Sequence, residues 1–239
     1  MHILSLKNIS KSFGSLKVTD DVSFDVPKGQ ALGIIGPNGA GKSTLFNLIT
    51  GNLMADSGAI HYDGQDVTRM PAMRRCLAGV GRSFQIPQPF EKLTGFENLV
   101  VAGAFGRNVS EADVAEACAD ILERTEMIGR ANVPAGELRL LERKRLELAR
   151  ALATDPKLLL LDEIAGGLTD AECQSLIQTI RDIHASGVTI IWIEHVLHAL
   201  TSVVERLLVL DFGRVIGIGD PAEIMDSREV KEIYLGIDV

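Results

Sequence analysis

The residues Gly36-Pro37-Asn38-Gly39-Ala40-Gly41-Lys42-Ser43-Thr44 fit the pattern Gly-x4-Gly-Lys-Ser/Thr without a gap. The chemistry of that pattern is phosphate binding. Its glycines let the backbone curl so that successive N–H groups point at the α- and β-phosphates of a nucleotide. Lys42 brings a positive charge to the β/γ oxygens, and the Ser43 hydroxyl is suited to ligate Mg²⁺. A helix starting here adds its positive dipole end to the same anion site.

Two carboxylates stand where such a loop needs them. Asp162-Glu163 follows the apolar run Leu158-Leu159-Leu160-Leu161. Asp162 suits Mg²⁺. Glu163, one residue on, points elsewhere and can polarise water for attack on the γ-phosphate, a general-base role worth roughly 10²–10⁴-fold. His195 follows the apolar stretch Val188–Ile193, and Gln85 follows Val80–Phe84. Alone, a histidine or glutamine there is more often structural. In this order with the loop and the two carboxylates, the set is specific.

Elements must hold these residues in place. Ala31–Ile35 reads as a buried strand entering the loop, and Leu45, Leu48 and Ile49 recur at helical spacing up to a stop at Gly51. The first thirty residues read as a small β unit with a strand at Val22–Val26 and Phe13-Gly14 in a loop before it. Ser57–Gly64 reads as strand and turn, and Ala72–Leu77 as a helix. Between Ile86 and Asp155 helical segments dominate, at Phe96–Ala104, Glu111–Thr125 and Leu138–Ala153. Strands and helices then alternate again: Leu158–Leu161, a helix at Asp170–Ala185, Val188–Ile193, and a hairpin of Leu207–Leu210 with Arg214–Gly219. A helix and short tail end the chain. The expected fold is α/β: a phosphate-loop nucleotidase core of mainly parallel sheet, a small antiparallel β subdomain and an inserted α-helical subdomain. The core covers about 1–86 and 155–239, the insertion about 87–154, in one domain of 239 residues.

Composition excludes several classes. The formal charge of −8 argues against nonspecific nucleic-acid binding. The cluster Arg139, Arg143, Lys144, Arg145 and Arg150 reads as a solvated helix face interleaved with Glu142 and Glu147. Three cysteines without metal-ligand spacing fit reduced thiols and a cytoplasmic address. No apolar run is long enough to span a bilayer, and the N-terminus lacks a signal-peptide pattern.

The order of Phe13, the phosphate loop, Gln85, a helical insertion, Leu158–Glu163 and His195 resembles the ATP-binding subunit of ATP-binding-cassette transporters, over essentially the whole chain. Leu45–Gly51, Gly81-Arg82-Ser83-Phe84-Gln85, Ala165-Gly166-Gly167-Leu168 and Tyr234-Leu235-Gly236 narrow the resemblance to the cassettes of branched-chain amino-acid importers and their relatives. The resemblance implies an ATPase that uses ATP and Mg²⁺ and powers import from the cytoplasmic face of the membrane. By it, Phe13 stacks on adenine, Gln85 links Mg²⁺ and the attacking water to the membrane subunits, and His195 contacts the γ-phosphate. Ile86 to about Phe96 would face the membrane partner. The implied partners are a second cassette, transmembrane permease subunits and, indirectly, a solute-binding protein.

The chain departs from the family at one motif. Leu138-Arg139-Leu140-Leu141-Glu142 stands where the family carries Leu-Ser-Gly-Gly-Gln, which presents a serine hydroxyl and glycine N–H groups to ATP on the opposite cassette. Leu140 and Leu141 cannot admit a phosphate as glycines do. Ile164 replaces the usual proline, and Thr169 stands where many cassettes carry aspartate. Pairing with a different cassette whose signature is intact follows as the expectation. The other readings are a non-transport regulatory cassette and a nucleotide-binding subunit with impaired turnover.

Overall fold

The computed structural model describes residues 1–235, with side chains to Glu232. Gly236, the last residue of the Tyr234-Leu235-Gly236 ending, and the expected tail lie outside the described residues. The chain forms two compact units, Met1–Ala72 with Thr189–Val239, and Met73–Val188.

The first unit opens with β1 (His2–Phe13) and β2 (Leu16–Pro27), an antiparallel pair running from His2↔Pro27 to Phe13↔Leu16. In β2, buried Val22, Phe24 and Val26 alternate with exposed Asp21, Ser23 and Asp25, the period of a strand with one buried face. The β unit is therefore larger than its sequence suggests. β1 was not anticipated, and Phe13 ends a strand rather than sitting in a loop. Register shifts along the pair break the alternation that would have revealed β1. Next come β3 (Ala31–Ile35), α1 (Lys42–Thr50), β4 (Ser57–Tyr62) and β5 (Gln65–Asp66). One sheet of this unit is antiparallel in the order β2-β1-β4-β5.

In the second unit α2 (Ala72–Leu77) leads to β6 (Val80–Arg82), followed by α3 (Gly95–Arg107), α4 (Glu111–Arg124), α5 (Leu140–Ala153), β7 (Leu158–Asp162) and α6 (Asp170–Ala185). β6 and β7 pair in parallel, Arg82 opposite Leu160. Capping boxes start three of the helices: Thr94/Glu97 for α3, Ser110/Asp113 for α4 and Thr169/Glu172 for α6. Thr169 thus serves as a helix cap. α3, α4 and α5 enclose Leu99, Val114, Cys118, Leu122, Met127, Leu138, Leu146 and Ala149, the core of the helical region. α5 starts at Leu140, two residues later than its periodicity predicts, because Leu138 and Arg139 are extended.

The basic cluster is not a solvated face. Lys144 and Arg145 are buried. Arg145 pairs with Glu126 at 2.6 Å and donates to Ser175 Oγ at 2.7 Å. Arg143 donates to the carbonyls of Leu138 and Gly136 at 2.8 and 2.7 Å. Arg150 holds buried Glu147, whose carboxyl is pushed up by burial, and the Gln88 carbonyl. The cations strap α5 to its surroundings. The sequence showed their spacing but not what packs around them.

The chain then returns to the first unit with β8 (Thr189–Ile193), α7 (Leu197–Thr201), β9 (Arg206–Asp211), β10 (Arg214–Gly219), α8 (Pro221–Asp226) and α9 (Arg228–Leu235). β3 pairs in parallel with both β8 and β9, and β10 is antiparallel to β9. β3 and β8 are buried at every residue, as parallel strands covered on both faces are. α7, only five residues long, left no periodic trace in the sequence.

Candidate nucleotide site

The phosphate loop runs from the carboxyl end of β3 into α1, as its pattern requires. Close backbone approach explains its glycines. A Cβ on Gly36 would stand 2.0 Å from the Leu210 carbonyl oxygen. Gly41, the residue before α1, has φ +101, and a Cβ there would meet the Val18 oxygen at 2.5 Å. The β9–β10 turn braces the loop: Gly213 N–H donates to Ala40 O at 3.0 Å, and its carbonyl accepts from Asp20 N–H at 2.8 Å. The Lys42 ammonium is buried and donates to the carbonyls of Gly36 and Pro37 at 2.7 and 3.0 Å, so it is held at the loop. Asn38, Gly39 and Ser43 are exposed, and Thr44 is half-buried. α1 has no acidic residue in its first turn and no side-chain cap, so its N-terminal N–H groups retain their pull on an anion.

His195 leaves β8, the parallel neighbour of β3, at the carboxyl end where the loop leaves β3. It is exposed, and its turn is set by a residue the sequence reading missed. Glu194 is buried, and its carboxylate accepts the N–H groups of His195 and Val196 at 2.9 and 3.3 Å. A glutamate between an apolar strand and a histidine was the available signal. Phe13 ends β1 with about half its surface exposed, and Lys11 Nζ lies 5.7 Å from its ring centroid.

In the second unit the structure brings Gln85, Asp162 and Glu163 into one small region. Asp162 ends β7 and is buried, with Arg82 Nη2 2.7 Å from Oδ2. Its N–H points to Ser83 Oγ at 3.4 Å. Glu163 has φ +47, a left-handed conformation uncommon for a residue with a side chain and characteristic of functional turns. Its carboxylate accepts from the Gln85 amide, and its carbonyl from Lys144 Nζ at 3.3 Å. Ile164, in place of the expected proline, is buried. Gln85 and Asp162 each carry a side-chain oxygen, that of Asp162 an anionic carboxylate, and oxygen donors of this kind fit the hard-ligand chemistry of Mg²⁺; Ser43 in the first unit carries a hydroxyl of the same class. Arg139, Leu140 and Glu142 form the first turn of α5 and its entry. Glu142 Oε2 accepts from Arg139 N–H at 2.9 Å, and its Oε1 pairs with Arg130 Nε at 2.7 Å.

A Gly-x4-Gly-Lys-Ser loop between a buried parallel strand and a helix, with Asp-Glu at the end of another buried strand, defines a phosphate-loop nucleoside triphosphatase. The ABC transporter family profile matches residues 19–166, more than half of the chain. The chain belongs to that family. It is 34% identical, across 99% of its length and 98% of the relative's, to the probable branched-chain amino acid transport ATP-binding protein LivG of Methanocaldococcus jannaschii. It is 33% identical, over the same shares, to the lipopolysaccharide export system ATP-binding protein LptB of Haemophilus influenzae. A nucleotide-free ATP-binding cassette from an ABC transporter superposes with a TM-score of 0.90 at 33% identity, covering 99% of this chain and 100% of the other. The chain is accordingly an ATP-binding subunit of the ABC type and an ATPase, with the α/β phosphate-loop fold expected from its sequence. Among the described residues, no helix is long and apolar enough to cross a membrane.

Proposed function

We propose that this chain powers import of branched-chain or other hydrophobic amino acids through separate permease subunits, working peripherally at the cytoplasmic face of the membrane. The observation that carries the reading is full-length similarity to LivG and, at 34% identity over 98% of each chain, to the high-affinity branched-chain amino acid transport protein BraF of Pseudomonas aeruginosa. LptB similarity at nearly the same level supports a second reading, in which the same cassette drives export of an amphiphile. Proteoliposomes holding the chain with its co-purified membrane subunits decide between them. ATP-dependent accumulation of labelled leucine supports import, and transfer of lipopolysaccharide without leucine uptake overturns it.

The roles proposed for its residues follow from their chemistry. The N–H groups of residues 36–44 and the Lys42 ammonium bind the phosphates, and Phe13 stacks on the adenine. Ser43, Gln85 and Asp162 would hold Mg²⁺, which when bound neutralises charge on the β- and γ-oxygens. Glu163 takes the proton of the attacking water, and Gln85, already bonded to it, orients that water. His195 donates to the γ-phosphate. We propose the permease surface on the loop after Gln85, from Ile86 to about Phe96, where Ile86 and Phe90 are 71% and 50% exposed, and extend it to Phe84, 45% exposed just before Gln85. Arg150 braces that loop through the Gln88 carbonyl, with its guanidinium 5.4 Å from the Phe90 ring centroid. The domain division proposed is a nucleotide core at 1–86 and 155–239 with helices inserted at 87–154.

The first turn of α5 bears on the pairing. The chain's own Glu142 brings a carboxylate to that turn and accepts the Arg139 N–H, and Leu140 is exposed where a glycine would admit a phosphate. The proposed partner is therefore a different cassette with an intact signature. ATP turnover of the purified chain, measured against its concentration with Glu163→Gln as control, tests this. Tight ATP binding with negligible turnover is expected. Turnover that rises faster than concentration and is abolished in Glu163→Gln would show that homodimers suffice.

A further inference from the structure

In the run Gly81-Arg82-Ser83-Phe84-Gln85, Arg82 bonds Asp162 just as Gln85 bonds Glu163. We propose that Arg82 is a positioning residue for Asp162, and that the exposed ring of Phe84 sets the position of Arg82 in turn. The inference rests on the assignment of Asp162 as the carboxylate on the Mg²⁺ side of the nucleotide.

The geometry follows from register. Arg82 lies opposite Leu160 in the parallel β6–β7 pair, and Asp162 lies two residues beyond Leu160 on the same face. Two residues of strand span roughly 6–7 Å, within reach of an arginine side chain lying along the ladder. The guanidinium arrives with Nη2 2.7 Å from Asp162 Oδ2, and the two side chains are only 9% and 6% exposed. A charge-assisted bond in such surroundings fixes one carboxylate oxygen, and losing the cation removes compensation from a buried charge. The other side of the guanidinium is occupied too, its central carbon 4.9 Å from the Phe84 ring centroid. A planar cation can stack and pair at once, which an ammonium cannot.

Neighbouring residues of the run hold the same strand end. Ser83 N–H donates to Leu160 O at 2.9 Å, its hydroxyl faces the Asp162 N–H, and Gln85 holds the Glu163 carboxylate. Phe84 turns its ring outward, with nearly half its surface exposed. A ring on the surface proposed for the membrane subunits therefore touches the guanidinium that holds Asp162. What covers Phe84 acts on the carboxylate through one intermediate side chain.

The readout is the ratio of the ATP dissociation constant in EDTA to that in Mg²⁺, measured by calorimetry on the full chain. A merely structural defect moves both constants, whereas a positioning defect moves only the Mg²⁺ one. Partners that orient a metal ligand typically contribute 10–100-fold to metal affinity, so Arg82→Gln is expected to lower the ratio about tenfold or more with the EDTA constant unchanged. Arg82→Lys keeps the charge without the stack and falls between. Phe84→Leu, a surface change that leaves folding intact, lowers the ratio about two- to fivefold. Asp162→Asn separates the role of the carboxylate from that of the cation beside it. If it leaves the ratio intact, the assignment of Asp162 fails and takes this inference with it. If it collapses the ratio while the Arg82 and Phe84 variants keep that of the parent, or raise it, the inference alone is overturned. Loss of ATP binding in EDTA by Arg82→Gln and Arg82→Lys alike overturns it as well, since Arg82 would then be a structural strap.

Discussion

The first turns of α1 and α5 offer the same bare N–H groups and the same positive dipole end, but they are entered differently. α1 is entered through Gly41, which carries no side chain, and its first turn holds a cation and no acid. α5 is entered through Arg139, and its first turn holds Glu142, which accepts the Arg139 N–H and is itself pinned by Arg130. One turn is left open to an anion from outside, and the other carries its own. The positive end of a helix binds phosphate only where the sequence keeps it free of a local carboxylate and of bulky side chains.

The largest effect expected from this contrast is at Lys42. Lys42→Ala should lower ATP turnover by about 10²–10³-fold, the usual cost of removing one aimed donor from a developing charge. Arg139→Ala at the other helix start should change the turnover supported by this chain's own loop by less than about twofold, because Arg139 serves the α5 cap chiefly through its backbone N–H, which alanine keeps. Steady-state kinetics of both variants with the same partner subunits present checks the pair. A comparable loss in Arg139→Ala would mean that the α5 turn takes part in phosphate chemistry after all.

Much of this contrast was legible in sequence, and the boundary of legibility is physical. Ala31–Ile35 and Asp170–Ala185 were read to the residue, because an apolar run before a glycine loop and a capped amphipathic helix leave local signals. Lys42, Asp162, Glu163 and Gln85 were singled out by type and order, and the structure holds Lys42 at its loop and gathers Gln85, Asp162 and Glu163 at the end of β7. The residues that position them were not. Arg82, Glu194 and Lys144 act through register and burial, which depend on strands and helices distant in the chain. The solvated-face reading of α5 failed for the same reason, since spacing along a helix does not say which neighbours cover it.

A smaller but more diagnostic effect comes from rebuilding the α5 turn. The combination Arg139→Ser, Leu140→Gly, Leu141→Gly and Glu142→Gln replaces the carboxylate of the turn by a neutral amide and removes two bulky side chains. If the closed turn limits the homodimer, its turnover should rise about tenfold or more. Stability should fall meanwhile by about 1–2 kcal/mol, because each glycine costs roughly 0.5–1 kcal/mol in a helix. Denaturant titration and turnover on the same preparation read both. Unchanged turnover in a folded variant would locate the defect of the homodimer elsewhere than α5.

The smallest effect isolates the cap itself. Glu142→Ala removes the side chain that closes the α5 turn and should cost about 1 kcal/mol of stability at neutral pH, the usual worth of a helix cap. The Glu142 carboxyl is held below its ordinary value of 4.5, first by the Arg139 N–H and to a lesser extent by Arg130. A carboxylate depressed by folding contributes its stability in full above that ordinary value and loses it as pH falls through the folded one. The gap between parent and Glu142→Ala should therefore be widest at pH 7 and close on acidification below about 4.5. Salt separates the two contacts. The Arg130 pair is half-exposed on its cationic side and is screened in about 1 M salt, whereas the backbone bond is short-ranged and largely persists. A gap that survives salt but closes with acid assigns the α5 turn to its own carboxylate; a gap lost to salt alone would make Arg130 the residue that closes it.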